Sequence, residues 1–467
     1  MLRSIYSAVS GIRAHQTKMD VIGNNIANIN TVGYKKQYVT FQDLFSQMIS
    51  SATSPSNGRG GTNPKQIGLG VGIGAINTIH TEGSAQRTDN PEDLMIDGEG
   101  FFVVTADTNY ENRFYTRAGN FTLDKSGNLV TPDGYKVLGY KYNEDGELTS
   151  VVAPIQIKKS ETAAPVATSE LRFNGNLDSR LEEGDSYTVD SIVKDSLGNS
   201  YTVTFKFTKG TSDNTGTVWT LSLDRITDQS KGYYTDFPRN DINPINQGNS
   251  VTLKFDKNGK LIYVGDGTNI GNDENQFSTV KLNLTGLVFD KGEGLAEGET
   301  VPPDGNFGKD KTGEILIFDG ENIDELVKNL TQFANDMDAK PYAEDGNSSG
   351  KLEGYAVDSS GTVVGIFSNG EKKVLAQIML AKFDNPMGLQ KMGGNLFIDT
   401  RNSGEPQYGF AGGNGYGSIL SGTLEMSNVD LSMEFTEMIT TQRGFQANSR
   451  IITTSDEMLQ ELVNLKR

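Results

Sequence analysis

The chain carries two imidazoles and no thiol: His15 and His80 are its only histidines, and cysteine is absent. A thiolate nucleophile, a disulfide and a Cys-type zinc site are therefore excluded. No triad or metal-ligand spacing surrounds either histidine, one of which falls in a helical stretch and the other in a strand-like one. The glycine run GLGVGIGA, Gly68–Ala75, brushes against a dinucleotide fingerprint. That motif needs a strand before it and a helix after it. A loop precedes this run and the alternating INTIHTEG follows it, so it reads as a glycine-rich strand. Aspartates recur at LDKSGNLV, YNEDGELT and FDKNGKLI, each with Gly and then Leu behind the Asp. None has the calcium-loop spacing with its distal Glu. They read as hairpin tips, where Asp, Asn and Gly supply the turn conformations. No catalytic, cofactor-binding or metal residue is expected, and no enzyme.

What would position such residues is a β-rich body between two helical ends. With 467 residues the chain has room for about three domains. Apolar content is low at 35% and glycine is abundant, as suits many strands and turns. Aromatics at 9% argue against wholesale disorder. A net charge of −18 is the wrong sign for a nucleic-acid partner. No apolar run reaches the ~18 residues of a membrane span. The N-terminus lacks the charged, apolar and small-residue regions of a cleaved signal peptide, so export without cleavage is expected if the chain leaves the cell.

The strongest pattern is heptad. At the N-terminus Leu2, Ile5, Val9, Ile12, Met19 and Ile26 follow alternating three- and four-residue steps, with Gln16 and Gly23 at the intervening seam positions. This predicts a helix ~40 Å long. At the C-terminus Leu431, Phe435, Met438, Phe445, Ile452, Leu459 and Val463 keep the same register, interrupted by Gln442, Ser449 and Asp456. SNVD, Ser427–Asp430, resembles a capping box ahead of that run. Between the ends the period drops to two. YTVTFKFT puts Tyr201, Val203, Phe205 and Phe207 on one face, and TVWTLSL follows the turn-rich KGTSDNTG. SSATSPSNGRGGTNP (Ser50–Pro64) and SGEPQYGFAGGNGYGS (Ser403–Ser418) read as flexible tethers. An apolar stripe on a tethered end wants a partner, since free termini fray. The expected partners are the other terminus and neighbouring copies.

SAVSGIRAHQTKMDVIGNNIANINTVGYKK at the N-terminus resembles bacterial flagellar rod and hook axial proteins. So do NPEDLMIDGEGFFVV, FYTRAGNFTLDKSGNLVTPDGYKVLGY and the closing block Ser421–Arg467. The core of the N-terminal motif is Asn24, Asn25, Ala27, Asn28, Asn30, Thr31, Gly33 and Tyr34. The resemblance covers roughly the first 140 and last 50 residues, and leaves the middle without a matching motif. The long insertion is more similar to the hook member than to the shorter rod subunits.

The resemblance implies a multidomain, mainly β fold whose terminal helices pair as a coiled coil, with β domains inserted between them. The domains would be 1–67 with 416–467 (helical assembly domain and linker), 68–150 with 351–415 (inner β domain), and 151–350 (outer insertion). TVPPDGNFGKDKTG, Thr300–Gly313, is a candidate seam within the insertion. The implied function is a hook subunit that polymerises into a curved, flexible tube, a universal joint passing torque from rod to filament. Its partners would be itself, the distal rod, hook cap and hook–filament junction proteins, and the flagellar type III export apparatus. Its place would be the flagellum, with no cofactor. Gly23 and the asparagines would end the first helix and turn the chain outward, and Gly33 and Tyr34 would set the next turn. The cysteine crosslink of some hook proteins has no counterpart here. A distal rod subunit and, in another class, a secreted β-rich adhesin are the rivals.

Overall fold

The computed structural model describes residues 2–55, 60–143, 147–238, 245, 250–265, 276–293, 295–296, 299–308, 312–319, 329–413 and 415–464. Their fold is mainly β, with one long helix near each end. Contacts divide it into two compact units. The first comprises residues 1–159, 354–365 and 372–467, and the second residues 160–353 and 366–371.

In the first unit, helix α1 (Leu2–Ala27) lies against helix α2 (Leu431–Asn464). They run antiparallel: Asn25 meets Glu434, Lys18 meets Glu437, and Gly11 lies beside Asn448. Helix α1 does not stop at Gly23 but continues through Asn24 and Asn25 to Ala27. The asparagines do not break it because their amides are engaged elsewhere. Asn25 bonds to the Gln37 backbone and to Glu434, so it does not compete for its own helix's carbonyls. The turn comes at Asn28, whose N–H reaches back to the carbonyls of Asn24 and Asn25. The start of α2 also differs from the expected capping box. Asp430, not Ser427, caps it, its Oδ1 accepting from the Ser432 N–H (2.8 Å) and the Met433 N–H (3.3 Å).

Beyond α1 the chain makes a long hairpin arm. Strand β1 (Gln37–Asp43) pairs with β4 (Val71–Thr78), and β2 (Ser46–Ser50) with β3 (Lys65–Gly68). The glycine run thus leads into a strand as expected, but a strand and not the expected loop precedes it, since Gly68 closes β3. The first expected tether is largely the end of this arm: Ser50 still pairs with Lys65, and Thr53 bridges Thr62. Residues 56–59 of that stretch lie outside the described residues. The second expected tether is not free either. Its segment Gln407–Phe410 pairs with Lys372–Lys382. Glycine content misled here, because strand edges and tight turns need glycine as much as linkers do.

The body of this unit is antiparallel. Lys372–Lys382 pairs with Lys136–Tyr142 and with Phe101–Thr105, and the latter pairs with Phe114–Thr116. Phe101, Val103, Tyr115, Leu138, Met379, Phe383 and Phe397 form a buried cluster there.

In the second unit, Ser200–Asp213 pairs with Gly216–Asp228, setting Phe205 opposite Leu223 and Phe207 opposite Leu221. Tyr201, Val203, Phe205 and Phe207 are all buried, as their alternation predicts. Much of the expected KGTSDNTG loop is ladder instead, with Lys209 opposite Trp219 and Ser212 opposite Thr217. Phe307, from the candidate seam Thr300–Gly313, belongs to the same buried cluster as Phe205, while 309–311 of that stretch lie outside the described residues.

The aspartate tips share one geometry. Asp124 Oδ1 accepts from the Ser126 and Asn128 N–H groups, and Asp256 Oδ1 from those of Asn258 and Lys260. Asp195 and Asp358 do the same at tips without the full sequence signature. The carboxylates thus close turns. Residues 144–146, at the tip of YNEDGELT, lie outside the described residues.

Candidate functional site

Points of α1–α2 contact involve Gly11, His15, Lys18 and Asn25 on α1 and Glu434, Glu437, Gly444 and Asn448 on α2. On α1 the buried positions are Ala8, Gly11, Ala14, Ile22 and Asn25. On α2 they are Glu434, Thr441 and Ser455, with half-buried Asn448 completing a strict heptad interval. A Cβ on Gly444 would stand 2.8 Å from the His15 ring, and one on Gly11 would stand 2.9 Å from the Asn448 amide. Each glycine leaves the space that the partner's side chain occupies, and a Cβ would have to displace the His15 ring or the Asn448 amide.

The heptad stripe read from the sequence therefore lies beside this contact. Ile5, Val9, Ile12, Met19 and Ile26 are half-buried, as are Met438, Phe445, Ile452 and Leu459; Leu431 and Phe435 are exposed. Leu2 is helical, but its side chain lies outside the described residues. Tyr6, Met433, Ile439, Ile451, Met458 and Val463 add further exposed apolar surface. The arm runs along another side of α1, with the Phe41 ring edge-on to His15 and Ser10 Oγ accepting from the Val71 N–H. It too is apolar and open: Leu44, Phe45, Met48, Ile49 and Ile67 are exposed.

Where the helices meet the body, the motif residues build a knot. Asn25, Gly33 and Tyr34 are buried; Asn28 and Thr31 are half-buried; Asn24, Ala27 and Asn30 are exposed. Asn25 treats the Gln37 backbone as a strand would, donating to its carbonyl at 2.8 Å and accepting its N–H at 3.0 Å. Tyr34 donates to Asn25 Oδ1 at 3.2 Å and accepts from Asn24 Nδ2 at 3.3 Å. Burial, with the Glu434 carboxylate as a lesser cause, pushes the Tyr34 hydroxyl above its usual pKa. Asn28 donates to the Asn24 carbonyl and accepts from the Thr31 hydroxyl, which closes the turn. Gly33 has φ +67° and a Cβ there would stand 2.6 Å from the Ala118 backbone nitrogen, so only glycine fits. Its N–H donates to the Glu425 carbonyl at 2.7 Å.

Beneath this lies a cluster assembled from positions far apart along the chain. Lys35 and Glu425 are fully buried and paired at 2.5 Å, and Arg117 approaches the other Glu425 oxygen at 3.6 Å. Lys35 also donates to the Thr81 carbonyl, Arg117 to those of Ile96 and Gly98, and the Gly83 N–H to Glu425. Burial depresses the pKa of both cations, and Glu425 opposes it. Asn428 adds three links, accepting from the Lys36 N–H and donating to the Ile79 and Thr81 carbonyls. Lys35 and Lys36 lie just beyond α1; Glu425 and Asn428 lie just before α2. The helix pair is thus tied to the body by a buried polar lock.

His80 sits over this lock, edge-on to Phe101 and Phe397 at 5.5 and 5.4 Å. Burial first, then Lys35, Arg117 and Lys391, bring its pKa from 6.5 to about 4, while the Pro386 carbonyl only partly opposes them. The folded state therefore holds neutral His80 and the unfolded chain protonates it more readily. Its contribution is complete above pH 6.5 and is lost as pH falls toward 4. Between pH 7 and pH 5 the loss is expected to be about 2 kcal/mol. Chemical denaturation across that interval, where carboxylates are largely silent, checks it; His80→Phe should flatten the slope.

Among the described residues, no cluster of three or more His, Cys, Asp or Glu is placed to hold a metal, and no helix is long and apolar enough to cross a membrane.

Comparison with known proteins supplies a family. Residues 5–35 match the flagella basal body rod protein model, and 95–170 match the flagellar hook protein FlgE/F/G D1 domain. Residues 176–347 match the flagellar basal body protein FlaE D2 domain, which supplies a family for the middle region, and 420–465 match the flagellar basal body rod FlgEFG protein C-terminal model. The flagellar hook protein FlgE of Borreliella burgdorferi is 38% identical over 487 aligned positions, covering all of both chains. That of Treponema pallidum is 36% identical, again over the whole of both. The flagellar basal-body rod protein FlgG of Bacillus subtilis is 31% identical and also spans both chains completely. Insertion length therefore does not separate hook from rod here, contrary to the expectation from shorter rod subunits. With full-length relatives above 30% identity and family models along its length, this chain belongs to the flagellar hook and basal-body rod family.

Proposed function

We propose that the chain is the structural subunit of a flagellar hook, polymerising head-to-tail into a curved tube that transmits torque between rod and filament. One observation carries the assembly reading: the apolar stripes of the terminal helices are only half-buried or exposed in the single chain. Such a surface on a folded single chain marks an interaction site. Copies of the chain would cover it, and heterologous contacts that do not close would give a tube. In that tube the helices would form the coiled-coil lining. Leu2, Ile5, Val9, Ile12, Met19, Ile26, Leu431, Phe435, Met438, Phe445, Ile452 and Leu459 would make contacts within and between copies. The β domains 68–150 with 351–415, and 151–350, would form the surrounding layers. Distal rod, cap, junction and export proteins would be its partners, and the flagellar hook its place. A rod subunit is the second reading, supported by the Bacillus subtilis relative.

Negative-stain electron microscopy of the purified chain in raised salt tests both, since salt screens the mutual repulsion of chains carrying −18 each. Curved tubes are expected; straight ones favour the rod. Val9→Asp and Phe445→Asp should abolish tubes while circular dichroism still shows the folded chain. Normal tubes from either variant would contradict the helices' role.

A further inference from the structure

The two histidines of the chain both stand where helix α1 is held. His15 lies in the α1–α2 contact, with Gly444 of α2 against its ring and Phe41 of the arm edge-on at 5.6 Å. Its Nδ1 is buried without a hydrogen bond. Lys18, one turn along α1, adds positive charge beside it and holds Glu437 of α2 at 3.0 Å. The other charged residues near these contacts in sequence, Arg443 on α2 and Asp43 on the arm, are exposed.

His80 lies in the polar lock. The carbonyls of both its chain neighbours are lock acceptors: that of Ile79 takes Asn428, and that of Thr81 takes Lys35 and Asn428. Its ring packs edge-on against Phe101 and Phe397, and both nitrogens are buried without a well-formed hydrogen bond. Cations face it from three segments: Lys35 after α1, Arg117 after Phe114–Thr116, and Lys391 on Gln390–Gly393. The Pro386 carbonyl opposes them only in part, and Glu425 is already engaged with Lys35 and Arg117. Glu82, Glu99 and Asp384 line the adjoining cavity with Lys382, and these carboxylates are exposed, where water and salt screen them.

A proton on either ring therefore finds no well-placed acceptor and meets like charge. The ring must leave its place to be solvated. For His80 that movement carries the Ile79 and Thr81 carbonyls away from Asn428 and Lys35. For His15 it opens α1 from α2 and from the arm.

We propose that His15 and His80 together form an acid-operated release, which frees the terminal helices from each other and from the β body while the second unit stays folded. Burial, and after it the neighbouring cations, hold both imidazoles below their ordinary pKa of 6.5. The open state thus takes up protons that the closed state refuses. Closure is fully favoured above pH 6.5 and weakens as pH falls, for His80 down to about pH 4. Between pH 7 and pH 5, His80 alone shifts the equilibrium about twenty-fold toward release. The release belongs to the single chain. Its consequence for tubes rests on the assembly reading above: released helices no longer present a fixed surface to neighbouring copies, so mild acid raises the monomer level.

Site-resolved hydrogen exchange on the full, unassembled chain tests this, with rates corrected for their intrinsic pH dependence. The reporters are the amides of Gly33, Lys36 and Gln37, which bond to Glu425, Asn428 and Asn25. The controls are the ladder amides between Ser200–Asp213 and Gly216–Asp228 in the second unit. From pH 7 to pH 5 the reporters' protection is expected to fall about twenty-fold and the controls' to hold. His80→Phe, which keeps an apolar ring between Phe101 and Phe397, should abolish most of that fall, and His15→Asn the remainder. His80→Gln is a second neutral replacement and should act alike. Unchanged reporters in the unmodified chain, or an equal fall in the double variant, would overturn the proposal. Equal loss in both units would show global acid unfolding and overturn it too. Imidazole proton resonances, of which the chain has only two sets, give an independent check: titration of either histidine at or above pH 6.5 counts against the release. Sedimentation of tubes then reads the consequence, with the free monomer expected to rise ten-fold or more from pH 7 to pH 5 and to stay level in the double variant. Absence of tubes at every pH would remove the assembly reading alone, since exchange reads the single chain.

Discussion

Replacing Glu425 by leucine is expected to destabilise the first unit by about 3–5 kcal/mol, because it leaves buried charge without its partner. Glu425 is the only carboxylate paired directly with Lys35 and Arg117 among the described residues, and all three are buried. It also accepts the Gly83 N–H. The substitution keeps the volume roughly constant, so the cost is electrostatic and not a cavity. Lys35→Met should cost less, since Arg117 still faces Glu425. The double variant should cost clearly less than the sum of the singles, because removing both partners of a buried pair removes the uncompensated charge as well. The helix signal in far-ultraviolet circular dichroism follows this unit, which contains both long helices. Simple additivity of the two variants would show that Lys35 and Glu425 are not a coupled pair.

Phe205→Asp should be at least as severe, above ~4 kcal/mol, but in the second unit. Phe205 is fully buried and edge-on to Phe173 at 5.3 Å. Aspartate there loses the aromatic burial and brings a carboxylate into a site built from Tyr201, Val203, Phe207, Leu221 and Leu223. The chain's single tryptophan, Trp219, is buried in the same cluster and reports on it. Tryptophan emission should shift to the red at denaturant concentrations where the helix signal is still native. Coincident loss of both signals would show that the two units unfold as one.

The polar lock also changes where compliance belongs in a bending tube. Two flexible tethers were expected, but one is largely paired as the end of the arm and the other pairs with Lys372–Lys382. Asn25, Tyr34, Lys35, Glu425 and Asn428 fasten the helices to the body by buried bonds. On the hook reading, bending would then be taken up by sliding between copies and not by slack within this junction.

Local pattern carried much of the architecture. Alternation in YTVTFKFT gave the strand and its buried face, heptads gave both terminal helices, and turn residues gave the Asp tips. These signals are legible because helix and strand periods are properties of a few adjacent residues and their backbone. Three things were beyond that reach. The stripe Val9–Ile12–Met19 announced an amphipathic helix but not which side meets α2, since close approach is decided by Gly11 and Gly444 on separate elements. The end of α1 was placed too early because the partners of Asn25 lie on Gln37 and Glu434. Lys35, Arg117 and Glu425 were ordinary charged residues until the fold brought them together. The sequence by itself determined the elements, the absence of thiol chemistry and the family likeness. Only the tertiary structure decided which faces touch and which charges pair, because desolvation and contact depend on neighbours that are hundreds of residues away along the chain.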